Sequence, residues 1–484
     1  MRKIKAIISL LLVAAISISL VGCAGSLSSG DVETIVWYMP KPVSVMSHQD
    51  MVEEAANKII EEELGCRLHF EFIDSGNWNQ KMSVIIQSGE EFDICFDSKE
   101  SFISNAQKGA YVDLTKYLDE YGSAINEKVD DFAWNAVTFD GEVYAIPGQT
   151  FYVPYASFAF KKSLVDKYNI DYKNITTMEQ LDPVLETIKS NEGSIVPIVA
   201  SANSSIPYPK SQRYCDTSLR GISFDTETEK YISDFETDYR LGLFKKAYEY
   251  YQKDYIAKDA VSNNEITSDI KTGRYAVFGG RRSDEKTSNL YGFECVEAET
   301  TYGVIGTMNI INSLACVSAT SKHPEKAVQV LNLIWSNPEL SNLLAYGIEG
   351  VDYEVVSKDG EPKSVIPKGG AESKWSIWHN WLGPLWDQWD STWNSTESLQ
   401  LMKKLNEEAK VSPDVGFVPD TSELQTEIAM VSAIVSETIS VFNTGSMPNF
   451  DEYYNATLKR LDEAGIDKIL DALNKQYVEW KKNK

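Results

Sequence analysis

The chain has 484 residues, room for two or three domains. Its formal net charge is −25 at pH 7, which excludes the clustered Lys and Arg that phosphate binding demands, and with them a nucleic-acid partner. Only His48, His69, His323 and His379 occur, far apart, so a histidine metal site or a Ser-His-Asp triad is not expected, and no catalytic residue, metal or cofactor is assigned.

Arg2, Lys3 and Lys5 precede an apolar run from Ile7 to Val21, the plan of a secretory signal. The run is short for a membrane span, and polar Ser26, Ser28, Ser29 and Asp31 follow at once. It closes on Leu20-Val21-Gly22-Cys23, which resembles the bacterial lipobox. That resemblance implies a signal peptide over 1–22, lipid on Cys23, a tether over 23–33, and a protein held at the extracellular face of the membrane. Acyl chains supply about 0.8 kcal/mol per buried CH₂, so more than one holds a folded domain there. An ordinary cleaved signal with a chance cysteine is the competing reading. Losing the three positive charges of 1–22 takes the net charge from −25 to −28. The remaining Cys66, Cys95, Cys215, Cys295 and Cys316 are odd in number and lack CxxC spacing, so neither a disulfide framework nor a zinc site is indicated.

After a Gly/Ser stretch to Gly30, strand and helix alternate. Thr34 to Tyr38 predicts a buried first strand. Ser47-x-x-Asp50 predicts a capping box before a helix whose face carries Met51, Val52, Ala55, Ile59, Ile60 and Leu64, with Gly65 at its C-cap. Leu68, Phe70 and Phe72 alternate with His69 and Glu71 as a second strand. A turn at Ser75-Gly76-Asn77 leads to a helix with Met82, Ile85 and Ile86, and Phe92 to Phe96 is a third strand. The pattern predicts an α/β fold with a mostly parallel sheet, in which ligands lie at the carboxyl ends of strands. That rule nominates Trp37 to Lys41, Asn77 to Trp78 and Asp97 to Glu100, with Tyr38 and Asp97 chosen among them and an ordinary loop position as the alternative for each.

Ile35-Val-Trp-Tyr38, Asp93-Ile94, Gly109-Ala-Tyr-Val-Asp-Leu-Thr115, Asp140-Gly-Glu-Val-Tyr-Ala-Ile-Pro147 and Ala156-Ser-Phe-Ala-Phe-Lys-Lys162 resemble, in order and spacing, the family-one extracellular solute-binding proteins of bacterial ABC importers, many of which bind sugars. Phe-Lys-Lys stands where that family has Tyr-Asn-Lys. The resemblance implies a two-lobed periplasmic-binding-protein-like (type II) fold with a hinge and a helical C-terminal region. Lobe 1 would comprise 34–146 with about 312–360, and lobe 2 would comprise 147–311 with about 361–484. Ile146-Pro147-Gly148 would then mark the first crossing. The residues agree, because Pro and Gly bound a strand and Gln149 to Tyr155 is aromatic and polar without helical period.

A second alternating block has a helix from Met178 to Ile188, a strand from Ile195 to Ala200, and a long loop from Ser201 to Thr217 in which Tyr208 is a candidate stacking residue. A helix through Leu243, Ala247, Tyr250 and Tyr251 precedes Thr272-Gly-Arg-Tyr-Ala-Val-Phe278-Gly-Gly-Arg281, where the family has a strand ending in its cleft. Gly279 to Arg282 are expected to face ligand there, with Arg281 the candidate, a multi-donor fork for polar oxygens, and a surface hairpin end is the alternative. Leu314 to Val317 is a strand, and Pro324 and Pro338 open helices at N1. By the resemblance, these residues return to the first lobe, giving two further crossings about which the lobes close. Six of the eleven tryptophans lie between Trp375 and Trp393 at helical spacing, a stripe broken at Gly383-Pro384. Core packing accounts for most of such a stripe. Trp381, off it, and the edges of Trp375 and Trp378 are candidates for a stacking wall against sugar rings. The last part, with Leu458-x-x-Leu461-x-x-Ala464 and Gln476-x-x-x-Trp480, resembles a C-terminal helical domain found in one branch of these lipoproteins.

The expectation is a non-enzymatic, lipid-anchored, monomeric receptor that binds a small-molecule solute, an oligosaccharide by family habit, and delivers it to ABC permease subunits. Its only contact with the membrane itself is the anchor. The expected ligand contacts are Tyr38, Asp97, Tyr208, Arg281, Trp375, Trp378 and Trp381. Two alternatives stay open: the solute-binding partner of a sensor system, and a surface glycoside hydrolase, which needs two carboxylates about 5 to 10 Å apart.

Overall fold

Ile35, Trp37 and Met39 are fully buried and alternate with more exposed neighbours, which makes Glu33–Lys41 (β1) an inner strand. The structure is a computed structural model that describes residues 32–43, 45–358, 360–369 and 372–483; the signal segment and Cys23 lie outside the described residues. Helix Gln49–Leu64 (α1) leads to Cys66–Asp74 (β2), and helix Trp78–Ser88 (α2) leads to Ile94–Asp97 (β3). Both strands pair with β1 in parallel. α1 stops where Gly65 turns left-handed, at φ 67°, and donates its N–H to the Glu61 carbonyl. The expected Ser47 capping box does not form. His48 takes the N-cap position without a side-chain cap bond, and its ring is held 2.6 Å from the buried Asp352 carboxylate.

The chain then runs through Phe102–Gln107 (α3) to the edge strand Ile146–Pro147 (β4) and leaves the first sheet by way of Tyr155–Ala156 (β5). Phe158–Lys161 (β6), helix Met178–Asn191 (α4), Val196–Ile198 (β7), helix Asp238–Gln252 (α5), Tyr275–Gly279 (β8), helix Asp284–Tyr291 (α6) and Cys295–Glu297 (β9) build a second sheet of order β9-β6-β8-β7. Thr301–Tyr302 (β10) pairs with β5 and carries the chain back. Leu314–Val317 (β11) inserts antiparallel between β3 and β4, so the first sheet has the order β2-β1-β3-β11-β4. Helices Pro324–Ser336 (α7) and Pro338–Tyr346 (α8) both begin with proline in the first turn, where its missing N–H costs nothing.

Two apolar cores result. The first holds Trp37, Phe70, Ile146, Leu314 and Trp335, and the second holds Phe160, Leu185, Phe224, Tyr250 and Val277. The chain crosses between them at Val153 to Phe158, at Ala298 to Ile305 and at Val415 to Phe417. Two expectations are corrected here: the first crossing falls after Val153 and not at Ile146 to Gly148, because Pro147 pairs in the first sheet and Tyr152 is buried in the first core; and the chain from about 361 does not go wholly to the second lobe, because Trp375, Ile377, Leu382 and Val415 are buried in the first core. The tryptophan stripe is not a helix either. His379–Leu382 (α9) is a single turn, and Gly383 follows at φ 119°, pressed so close to the Trp335 indole that a Cβ would sit 2.3 Å from its Nε1. With Pro384 next, no helix passes that point. Thr396–Glu408 (α10) lies outside both main cores. Gln425–Thr444 (α11), Phe450–Glu463 (α12) and Ile466–Asn483 (α13) complete the second core, where Tyr477 meets Phe224, Tyr231 and Phe417. Cys66, Cys95, Cys215, Cys295 and Cys316 are buried free thiols. Among the described residues no helix is long and apolar enough to cross a membrane.

Candidate solute-binding cleft

Trp378 and Trp381 stand together, ring centroids 4.7 Å apart, and Trp381 leans on Phe96 of β3 at 4.9 Å. Trp78, at the start of α2, backs Phe96 at 6.2 Å. The pair therefore sits at the carboxyl ends of β2 and β3, supported from beneath by buried rings. Trp378 is 53% exposed, which presents a flat apolar face to solvent beside the sheet. Asp97, the next residue after Phe96, points to the opposite face of β3. A groove of about 890 Å³ runs between the lobes, bordered by Lys99, Glu100 and Ser104 on one side and Ser218, Thr421 and Gln425 on the other, with Ile103, Phe139 and Leu219 among them. The tryptophan face supplies the broad apolar area that sugar rings stack on.

The structure corrects three of the expected contacts. Trp375 is a core residue: 2% exposed, its Nε1 donates to the Leu344 carbonyl at 2.8 Å and its ring meets Phe70 and Phe72. Asp97 is buried and occupied. It accepts from the Ser98 N–H, the Ser101 and Tyr111 hydroxyls and the Asn105 amide, so it fixes the turn from β3 into α3 and has no lone pair aimed at a solute. Burial pushes its carboxyl above the usual carboxylate range, against the pull of those donors. Tyr38 lies within β1, level with Cys95 of β3, and its hydroxyl donates to Glu90, ahead of β3. Burial, with Glu90 beside it, pushes its hydroxyl up to about 12.

Tyr208 is half-buried, edge-on to Tyr239 at 5.4 Å, with its hydroxyl over Gly242 of α5, where a Cβ would come within 2.8 Å. It closes the loop onto that helix. Arg281 has an exposed side chain just past β8.

The loop around Arg281 is built on one carboxylate. Glu297 accepts from the backbone N–H groups of Arg281, Arg282 and Ser283 and from the hydroxyls of Ser157 and Thr287. Gly280 is needed because a Cβ there would sit 2.3 Å from Glu297 Oε2. The gathered N–H groups hold Arg282 left-handed at φ 66°, a conformation costing about 1 to 3 kcal/mol for such a residue. Its guanidinium lies 3.8 Å from the Phe151 ring centroid and 4.7 Å from that of Tyr155, on the first crossing. Phe151 and Tyr155 are not among the expected site residues, whereas Arg282 ends the expected stretch Gly279 to Arg282. The available signal was the aromatic, non-periodic stretch from Gln149 to Tyr155.

Residues 49–339, more than half of the chain, match the family described as bacterial extracellular solute-binding protein. The chain belongs to this family. Two α/β lobes joined by three crossings are the type II arrangement of these solute-binding proteins, and membership sets the glycoside hydrolase aside. Residues 413–482 match a domain of unknown function, DUF3502. A carbohydrate ABC transporter substrate-binding protein of Streptococcus pneumoniae serotype 4 (strain ATCC BAA-334 / TIGR4) is 29% identical over 475 residues, 94% of this chain and 92% of its own. The crystal structure of the N-glycan transport solute binding protein NgtS from Streptococcus pneumoniae superposes with a TM-score of 0.81 at 28% identity, covering 93% of this chain and 99% of that one. The same protein in complex with Man5GlcNAc gives 0.69 at the same identity and coverage.

Proposed function

We propose that this chain is the extracellular receptor of an ABC importer, which captures an oligosaccharide between its lobes and hands it to permease subunits in the membrane. It works as a monomer, tethered through lipid on Cys23. The observation that carries the solute class is the Trp378 and Trp381 pair, an exposed indole platform at the strand ends of the first lobe. It occurs in a chain similar along 93% of its length to a protein solved with Man5GlcNAc. Indole faces supply area and orientation for the CH-rich faces of sugar rings, and Arg281, exposed just past β8 of the second lobe, supplies donors to hydroxyls.

Calorimetric titration with high-mannose oligosaccharides tests the reading, and solute at about 100 times its Kd raises stability by about 2.7 kcal/mol. Trp378→Ala is expected to weaken binding by about 1 to 3 kcal/mol. Its melting temperature should stay close to wild type, because that ring is already half in water. Full affinity in this variant moves the solute away from the platform.

The anchor is supported by Leu20-Val-Gly-Cys23 following an apolar segment. Cys23→Ala is expected to leave the protein unlipidated, retained as precursor or shed to the medium. Lipid labelling equal to wild type refutes the assignment.

A further inference from the structure

Helix α10 touches both lobes and belongs to neither main core. Asn406, buried in its last turn, accepts from Tyr152 N at 3.0 Å and donates to the Thr150 carbonyl at 2.7 Å, so the helix is pinned to first-lobe backbone just ahead of the first crossing. Its Leu399 and Met402 pack with Leu385, Trp386 and Phe151. From the second lobe, Lys286 Nζ donates to Ser398 Oγ at 3.0 Å and to Asn394 Oδ1 at 3.2 Å, and Arg282 Nη2 donates to Met402 Sδ at 3.3 Å. We propose that α10 is a brace across the hinge, and that Lys286 and Ser398 are positioning residues that set solute affinity without touching the solute. The proposal rests on the two-lobed receptor reading.

The two attachments differ in kind. Asn406 makes two bonds to backbone from a buried position, whereas Lys286 reaches its acceptors from a half-exposed one, where water competes for the ammonium and makes the contact the more reversible. Any rotation of the second lobe about the crossings must stretch the Lys286 contacts before it disturbs Asn406. The contacts are made in an arrangement in which a groove of about 890 Å³ still separates the lobes. A receptor whose binding-competent form is a minor population binds more weakly by that fraction, so a contact that favours the other form lowers apparent affinity. Removing it tightens binding.

The test uses the full chain with spin labels on Lys81→Cys in α2 and Lys245→Cys in α5, in wild-type, Lys286→Ala, Ser398→Ala and doubly substituted backgrounds. Interlobe distances are read by double electron–electron resonance without solute, and Man5GlcNAc is then titrated. Each single substitution is expected to shift the distance distribution and to lower the Kd about fivefold, the worth of one ordinary hydrogen bond, with the double variant no tighter than either single. Unchanged distances, or binding that is equal or weaker, overturn the brace. A wild type that binds no oligosaccharide removes the receptor reading, while the label distances still decide the brace.

Discussion

Trp375→Ala is expected to lower the unfolding free energy by about 3 to 5 kcal/mol, the cost of removing a large side chain from a packed core. The indole sits against Phe70 and Phe72 on β2, and its N–H is committed to the Leu344 carbonyl of α8. A strand in the sheet and a helix packed on it cannot both move in to fill the space, so the cavity persists. Urea unfolding reads the loss, and the affinity of the folded fraction should equal wild type. A cost below about 1 kcal/mol would return Trp375 to the list of solute contacts. Trp378 is three residues on and behaves in the opposite way, losing affinity and keeping stability, so one short segment carries both outcomes.

The second large effect is a loss of stability in acid that depends on His379. Its ring is buried beside Tyr346, and Nε2 lies 3.0 Å from Asn342 Oδ1, which only a protonated Nε2 can use as a donor. Burial pulls its pKa from 6.5 to about 3. Between those values the unfolded chain carries one more proton than the folded one, so stability falls as pH falls. The slope is about 1.4 kcal/mol per pH unit, or about 3 kcal/mol between pH 6.5 and pH 4. His379→Phe is expected to flatten that part of the profile, measured as the difference between the two proteins' urea midpoints at each pH. Asn342 Oδ1 stays satisfied in the variant because the Trp389 N–H also donates to it, at 2.9 Å. Parallel pH profiles for the two proteins would mean that His379 is charged in the fold or titrates normally.

The strand and helix order of both lobes is legible in the sequence because burial there follows period two or 3.6 and is punctuated by residues with their own local physics, such as Gly65, Pro324 and Pro338. What periodicity does not carry is which core a stretch joins. Trp375 and Phe417 are equally apolar, and only the path of the chain sends one to the first lobe and the other to the second. At the site, the strand-end rule lands within a residue or two and then fails on direction. Phe96 faces the tryptophan pair and Asp97 the other side. Arg282, not its nominated neighbour Arg281, turns onto the crossing, because Glu297, 15 residues later, gathers the backbone around it. Nothing local to Arg282 announces that carboxylate. Trp381 was legible for the opposite reason: it falls outside the pattern that core packing explains.

The way the chain shuttles between lobes also sets a schedule. Synthesis proceeds from the N-terminus, and the first core waits for Trp375, Leu382 and Val415 while the second waits for Phe442, Leu461 and Tyr477. With residue 370 made, the first core lacks only a few of its members, whereas the second still awaits everything that α11, α12 and α13 bring. The second lobe is therefore the later to close, and a chain cut short before α13 leaves Phe224, Tyr231 and Phe417 without the Tyr477 ring that packs on all three.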